Sequence, residues 1–222
     1  MRIFRLSYFF LPASSSTPSQ SASLTTLKQC LHFDPDSKPC LTAHRLVKKF
    51  DRSFKQLEEL ILKDDWRGVT NLLIGIGKEK DKAFARKFDE AMMSHTSREQ
   101  LLEVEYSPIT LPDPALVSPR RQDIVRAVCR AYVHLGDARN GQKWCDTLLS
   151  MPGAENDEYG LTGQGEAFLL KEEWEEAVKS FEKAFEASGR SSRDVSFFEY
   201  WSSSMLLCVR RSTNGCRRHK IY

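Results

Sequence analysis

No run of apolar residues approaches the roughly 20 that a membrane-crossing helix needs, so no membrane span is expected. No Gly-rich phosphate loop precedes a helix, no Gly-x-Ser-x-Gly elbow occurs and no acid/base pair stands out, which argues against nucleotide and hydrolase chemistry. The acidic run Glu172 to Glu176 reads as the solvated side of a helix, not as a catalytic carboxylate pair. Cys208, Cys216 and His219 are one ligand short of a structural zinc site and too widely spaced for one. We therefore expect no catalytic residue, no metal and no cofactor. Acids are also missing at both ends: none precedes Asp34, and none lies in residues 208–222. Met1 to Leu11 is short, apolar and aromatic, is split by Arg5, and runs into the Ser-rich stretch that begins at Ala13. A secretory leader, a transit peptide and an unrelated disordered segment all fit, so residues 1–23 are expected to be a disordered or targeting arm. The carboxyl-terminal tail concentrates Arg210, Arg211, Arg217, Arg218 and Lys220, leaving 28 bases against 30 acids elsewhere. Such a tail attracts polyanions only in a salt-dependent way and here lacks a folded platform, so no nucleic-acid partner is expected.

What is present is a periodic apolar pattern in a chain of 222 residues, 41% of them hydrophobic, which is enough for a core. From Glu158 to Arg190 the pattern is clearest. Trp174, Ala177, Val178, Phe181, Ala184 and Phe185 recur at three- and four-residue steps, on one face of a helix. Upstream, small Gly165 precedes Phe168 by three residues and Trp174 by nine. This schedule of small and large residues is that of the tetratricopeptide repeat (TPR), a helix-turn-helix unit of about 34 residues. Gly165, Ala177 and Ala184 stand where helices cross closely, and aromatics, Trp174 among them, fill the remaining wedge. A single repeat cannot bury both of its faces and requires neighbours. One is visible: setting Cys129 in the place of Gly165 puts Tyr132 under Phe168, Ala138 under Trp174, Gly141 under Ala177, Cys145 under Phe181 and Leu148 under Ala184, an offset of 36 residues.

Earlier in the chain, a short helix from Ser23 to Phe33 runs into Asp34-Pro35, where Pro ends one helix and a small polar residue caps the next. It looks like half a repeat with no partner. A long helix over 40–63 and a second from Asp65 form a TPR with an extended first helix, followed by a charged helix over 78–93 with Phe84, Phe88 and Ala91 on one face. Ser97 and Gln100 have the spacing of a capping box. Pro108, Pro112, Pro114 and Pro119 mark a connection. The fold expected is an all-α TPR solenoid fragment with disordered termini. Its parts are the arm at 1–23, partial and extended TPR helices at 24–104, a Pro-rich loop at 105–119, two TPR repeats at 120–194 and a divergent aromatic and basic tail at 195–222.

Two pairs of cysteines stand at short helix junctions, Cys30 with Cys40 and Cys129 with Cys145. Small apolar residues suit crowded crossings whether or not they are oxidised. That both pairs are so placed favours disulfides, and with them an oxidising compartment.

Several motifs together resemble a known family: Leu31-His-Phe-Asp-Pro-Asp-Ser-Lys-Pro-Cys, Lys48-Lys-Phe, Leu57-Glu-Glu-Leu, Asp65-Trp-Arg, Ser118-Pro-Arg-Arg, Arg130-Ala-Tyr, Lys171-Glu-Glu-Trp-Glu-Glu-Ala-Val and Gly189-Arg-Ser-Ser-Arg-Asp. They look like a fungal member of the TPR-containing DnaJ co-chaperones of the endoplasmic reticulum lumen, whose animal relatives are known as inhibitors of the interferon-induced, RNA-activated kinase. The cysteine spacing matches bridges in that family. The resemblance implies an array that holds unfolded client proteins and a J domain that delivers them to the ATPase chaperone BiP. A J domain stimulates its partner through His-Pro-Asp, and none of the five histidines here is followed by Pro-Asp. ATPase stimulation is therefore not expected of these residues. The likeness runs from about Leu24 to Asp194, which leads us to expect a truncated chain with ends foreign to the family.

TPR arrays bind on the concave face of their first helices. Here that face would comprise Asp123, Arg126, Arg130, Val133 and His134 from one repeat and Tyr159, Thr162, Glu166 and Leu169 from the next. A clamp on a terminal carboxylate is not expected, because no Asn accompanies Arg126 and Arg130 on either helix, and Asp123 and Glu166 repel an anion. The function expected is protein binding in the endoplasmic reticulum lumen. The alternatives are a cytoplasmic scaffold for folded partners and an inactive truncated product.

Overall fold

Helix starts follow from local chemistry. In a computed structural model, which describes residues 2–11, 20–75, 83–96 and 113–188, aspartate opens three helices. Asp65 accepts from the Gly68 N–H at 2.9 Å, Asp137 from Asn140 at 3.1 Å and Asp157 from Gly160 at 2.9 Å. Each satisfies a backbone donor that the first helical turn leaves without an internal partner. Pro39 and Pro119 sit in the first turn of two others, where a missing N–H costs nothing. The helices in chain order are α1 (Arg2–Phe10), α2 (Gln20–Phe33), α3 (Lys38–Leu62), α4 (Trp66–Leu73), α5 (Phe84–His95), α6 (Pro119–His134), α7 (Ala138–Leu149), α8 (Glu158–Leu170) and α9 (Trp174–Ala187). A single helical turn, Pro114–Val117, precedes α6. No strand occurs among the described residues.

The α6–α7 and α8–α9 hairpins repeat each other, including at their turns. Gly136 takes a left-handed φ of +73°, and 36 residues later Glu172 takes +64°. A Cβ is strained there. Glu172→Gly relieves about 1–2 kcal/mol of left-handed strain and gives back about 0.5–1 kcal/mol through the looser unfolded chain. A net stabilisation of about 0.5–1 kcal/mol is expected from urea denaturation curves.

Within the tandem, α6 packs on α7, α7 on α8 and α8 on α9, with α6 also meeting α8. Small residues stand at the crossings. A Cβ built on Gly165 would stand 2.7 Å from the Phe181 ring, and one on Gly163 3.0 Å from both Cys129 Sγ and Cys145 Sγ. Cys129, Ala177 and Ala184 are buried, and Tyr132, Phe168 and Phe181 are half-buried. Trp174 departs from its assigned part: it is 43% exposed, and Val178 beside it is exposed as well. Their flank of α9 points away from the seam sealed by Ala177, Ser180 and Ala184. Trp66 holds the same first position in α4, yet it is half-buried because α6 lies over it.

In the first half, α2 packs on α3, α3 on α4 and α4 on α6. α5 is an added helix that puts Phe84 and Phe88 against Phe50 and Phe54 of α3, with ring centroids 5.0 to 5.8 Å apart. Cys30 at the end of α2 is joined to Cys40 at the start of α3, Cα to Cα 6.3 Å. Cys129 of α6 is joined to Cys145 of α7 at 4.9 Å.

Two expectations need correcting. The arm expected at 1–23 contains an ordered helix, α1, whose Phe4, Tyr8 and Phe9 are fully buried, and α2 already begins at Gln20. α1 lies along α2 and reaches α6, so the apparent half-repeat has a partner. The cause is aromatic side chains on one helical face with walls to receive them. The loop expected at 105–119 is partly helical where it is described: Pro114 starts a turn and Pro119 opens α6, because proline breaks a helix interior but suits its first turn. The Ser97–Gln100 capping box and the whole of 195–222, with Cys208, Cys216 and His219, lie outside the described residues. Among the described residues no helix is long and apolar enough to cross a membrane, and no group of three or more His, Cys, Asp or Glu is placed to hold a metal.

Candidate protein-binding face

α6 and α8 run side by side, so residues at helical spacing on each converge into one face, but the structure divides those residues among three different tasks. Arg126 is committed to structure. Its Nε and Nη2 donate to Asp157 Oδ2 at 2.8 and 2.6 Å, and its Nη1 donates to Asp123 Oδ1 at 2.5 Å. Asp157 is also the N-cap of α8, so this guanidinium ties the start of α8 to α6. Val133, expected on the face, is only 7% exposed. It packs towards Gly141 and Gly163, because the glycines bring α7 and α8 in close around it.

The second set forms a ladder. The Arg130 guanidinium lies 4.6 Å from the Tyr159 ring centroid and 5.3 Å from that of Trp66. His134, one turn further along α6, stacks on Trp66 with centroids 4.2 Å apart and planes 9° apart. Cation–π contacts of this kind stabilise by roughly 0.5–1 kcal/mol where they are exposed. Partial burial, followed by the nearby Arg130 charge, pushes the His134 imidazole below its ordinary range, which suits a neutral ring stacked on indole. Tyr159 remains 50% exposed, so the ladder ends on an aromatic ring that is open to a partner. Trp66 belongs to this face, although the sequence suggests only a packing role for it. The detectable signal was Arg130 and His134 at an i, i+4 spacing, on the helix that overlies the start of α4.

The third set continues along α8. Thr162, Glu166 and Leu169 follow Tyr159 at helical spacing, and all are half-buried. Burial alone raises the Glu166 carboxyl above its ordinary value. The folded state therefore holds that proton to higher pH than the unfolded chain does, and the cost of the buried charge is fully present above the folded pKa. It disappears as pH falls through the folded pKa towards the unfolded value of about 4.3. Glu166→Gln is expected to be more stable than the parent at pH 7 and equal to it near pH 4, which denaturation midpoints at the two pH values will check.

The arrangement offers an aromatic-cationic patch, an apolar side chain and a carboxylate on a shallow helical surface, with no nucleophile and base brought together. No family model matches the chain. Its sequence is 32% identical to the tetratricopeptide repeat and J domain-containing co-chaperone DNJ1 of Cryptococcus neoformans, over 82% of this chain and 32% of that protein. It is also 32% identical to the protein of the same description from Mycosarcoma maydis, over 87% of this chain and 33% of the relative. DnaJ homolog subfamily C member 3 of Gallus gallus is 24% identical over 73% of this chain and 25% of its own length. The chain thus spans about a third of the length of the fungal relatives it matches. In structure it is similar to the P58(IPK) TPR domain with a TM-score of 0.56, at 19% identity, covering 88% of this chain and 43% of that one. Fold and sequence together make this an all-α tetratricopeptide-repeat chain whose homologues are TPR and J domain-containing co-chaperones.

Proposed function

We propose that this chain is the protein-binding part of a co-chaperone of the endoplasmic reticulum type, holding unfolded or misfolded clients on the α6–α8 face. The observation that carries the reading is the half-exposed Tyr159 ring against the Arg130 guanidinium, with half-buried Glu166 and Leu169 further along the same helix. A shallow surface of that kind engages an apolar side chain and the polar backbone beside it without demanding one folded shape, which is what a non-native segment offers. The homologues' description as co-chaperones supports the same reading. Transfer of clients to BiP would belong to a J domain, since no histidine of this chain is followed by Pro-Asp. The bridged junctions Cys30–Cys40 and Cys129–Cys145 support an oxidising compartment.

The test is light scattering of a reduced, unfolding client with and without the chain. The intact protein is expected to delay aggregation, and Arg130→Ala with Tyr159→Ser to lose most of that delay at unchanged helicity. A variant as protective as the parent would remove this face from the proposal. Thiol trapping in cells addresses the compartment: free Cys129 and Cys145 together with a stable folded partner would favour a cytoplasmic scaffold.

A further inference from the structure

The charges on the α6–α8 face are unevenly matched. Arg126 commits its guanidinium to Asp157 and Asp123, and Arg130 sets its own against the Tyr159 and Trp66 rings. His134 is stacked on Trp66 and pushed towards its neutral form. Glu166 has no such arrangement. It takes on α8 the place that Arg130 takes on α6, 36 residues earlier, and it is half-buried. Among the described residues no cation and no hydrogen-bond donor meets its carboxylate, and burial is the one influence that moves its titration. A partly desolvated, unpaired carboxylate costs stability at neutral pH. On an open face, a side chain that breaks the pairing rule in this way marks a place where a partner completes it.

The surroundings of Glu166 define that partner. Tyr159, 50% exposed, lies seven residues before it on α8, and half-buried Leu169 lies three residues after it, so the three follow one side of the helix. Seven residues of helix span about 10 Å, which is the length of about three residues of extended chain. We infer that Glu166 makes the face selective for client segments in which a lysine or arginine lies about three residues from an aromatic or large apolar side chain. The apolar side chain packs on Tyr159 and the cation pairs with the Glu166 carboxylate. An acidic residue at the same place would bring two like charges together out of water, which excludes such segments. This selectivity rests on the reading of the face as a client-holding surface and adds to it the chemistry of the segments held.

The experiment uses the full chain and fluorescein-labelled Gly/Ser peptides that carry Leu and Phe side by side and differ only at the third residue beyond Phe, which is Lys, Gln or Glu. Binding is read by anisotropy at low salt. The wild-type chain is expected to bind the Lys peptide about fivefold more tightly than the Gln peptide, the size of an ion pair at the edge of solvent, and the Glu peptide least tightly. Glu166→Gln should bind all three alike, although it is expected to be the more stable protein at pH 7, so a loss of folding cannot mimic the result. Glu166→Lys, at unchanged helicity, should prefer the Glu peptide. Tripling the distance between Phe and Lys should abolish the wild-type preference. Equal wild-type affinities for the three peptides, with binding lost in Arg130→Ala with Tyr159→Ser, would overturn the selectivity and leave client holding on this face standing. A Lys preference that survives in Glu166→Gln would overturn it as well. Binding of no peptide, or undiminished binding in Arg130→Ala with Tyr159→Ser, would remove the face as a client site and the selectivity with it.

Discussion

Phe88→Ala is expected to lower the unfolding free energy by about 3–5 kcal/mol, the range for truncating a large aromatic in a packed core. Phe88 is fully buried at the meeting point of three helices. Its ring stands within 6.2 Å, centroid to centroid, of Phe9, Phe50, Phe54 and Phe84. Those neighbours belong to α1, α3 and α5 itself, so no single helix can move to refill the void. Trp174→Ala provides the contrast. Trp174 is larger and sits in the best-formed repeat, yet its exposure limits the expected loss to about 1 kcal/mol or less. Thermal or chaotrope melts of the two variants will check the ranking. A Trp174→Ala loss as large as that of Phe88→Ala would mean that Trp174 is covered by something outside the described residues.

Opening the Cys129–Cys145 bridge should be nearly as costly. A loop of this length constrains the unfolded chain by about 3 kcal/mol on loop-closure grounds, and the bridge is also part of the packing. Both sulfurs are buried, and the backbone of α8 crosses them at Gly163, where even a methyl group would come within 3.0 Å of each. α6, α7 and α8 thus meet on the disulfide, with Arg130 and Tyr159 standing on two of those helices. Cys129→Ala with Cys145→Ala is expected to lose about 3 kcal/mol and, with it, part of the registry of the Arg130–Tyr159 ladder. The parent protein treated with reductant should melt like the double variant. Identical melting with and without reductant would show that these thiols do not pair in solution.

The α6–α9 tandem was legible because its determinants are local. Small Gly165, Ala177 and Ala184 and the 36-residue offset from Cys129 to Gly165 are relations within a helix or between adjacent helices, whereas the Asp137 and Asp157 caps and the matching turns at Gly136 and Glu172 came only with the structure. The binding face was only partly legible. Helical spacing placed Arg126 and Val133 beside Arg130, but it could not show that Asp157 captures Arg126 or that Gly141 and Gly163 draw a wall around Val133. Nor did it bring Trp66 to Arg130, since those two residues are 64 positions apart.

The amino terminus shows where the division falls. The composition of residues 1–11, apolar, aromatic and free of acid, describes a leader and a buried helix equally well, because both need apolar side chains on a helix. Burial of α1 depends on Asp51, Phe88 and Arg120 being assembled into walls, and Arg120 lies 112 residues from the Tyr8 carbonyl it binds. By itself the sequence determined the helices of the tandem, the small residues set between them and the TPR pattern, all fixed by relations within a helix or between neighbouring helices. Only the tertiary structure decided which faces are covered, by what, and which charges are left to meet a partner, because burial and ion pairing depend on residues that the chain must first bring together.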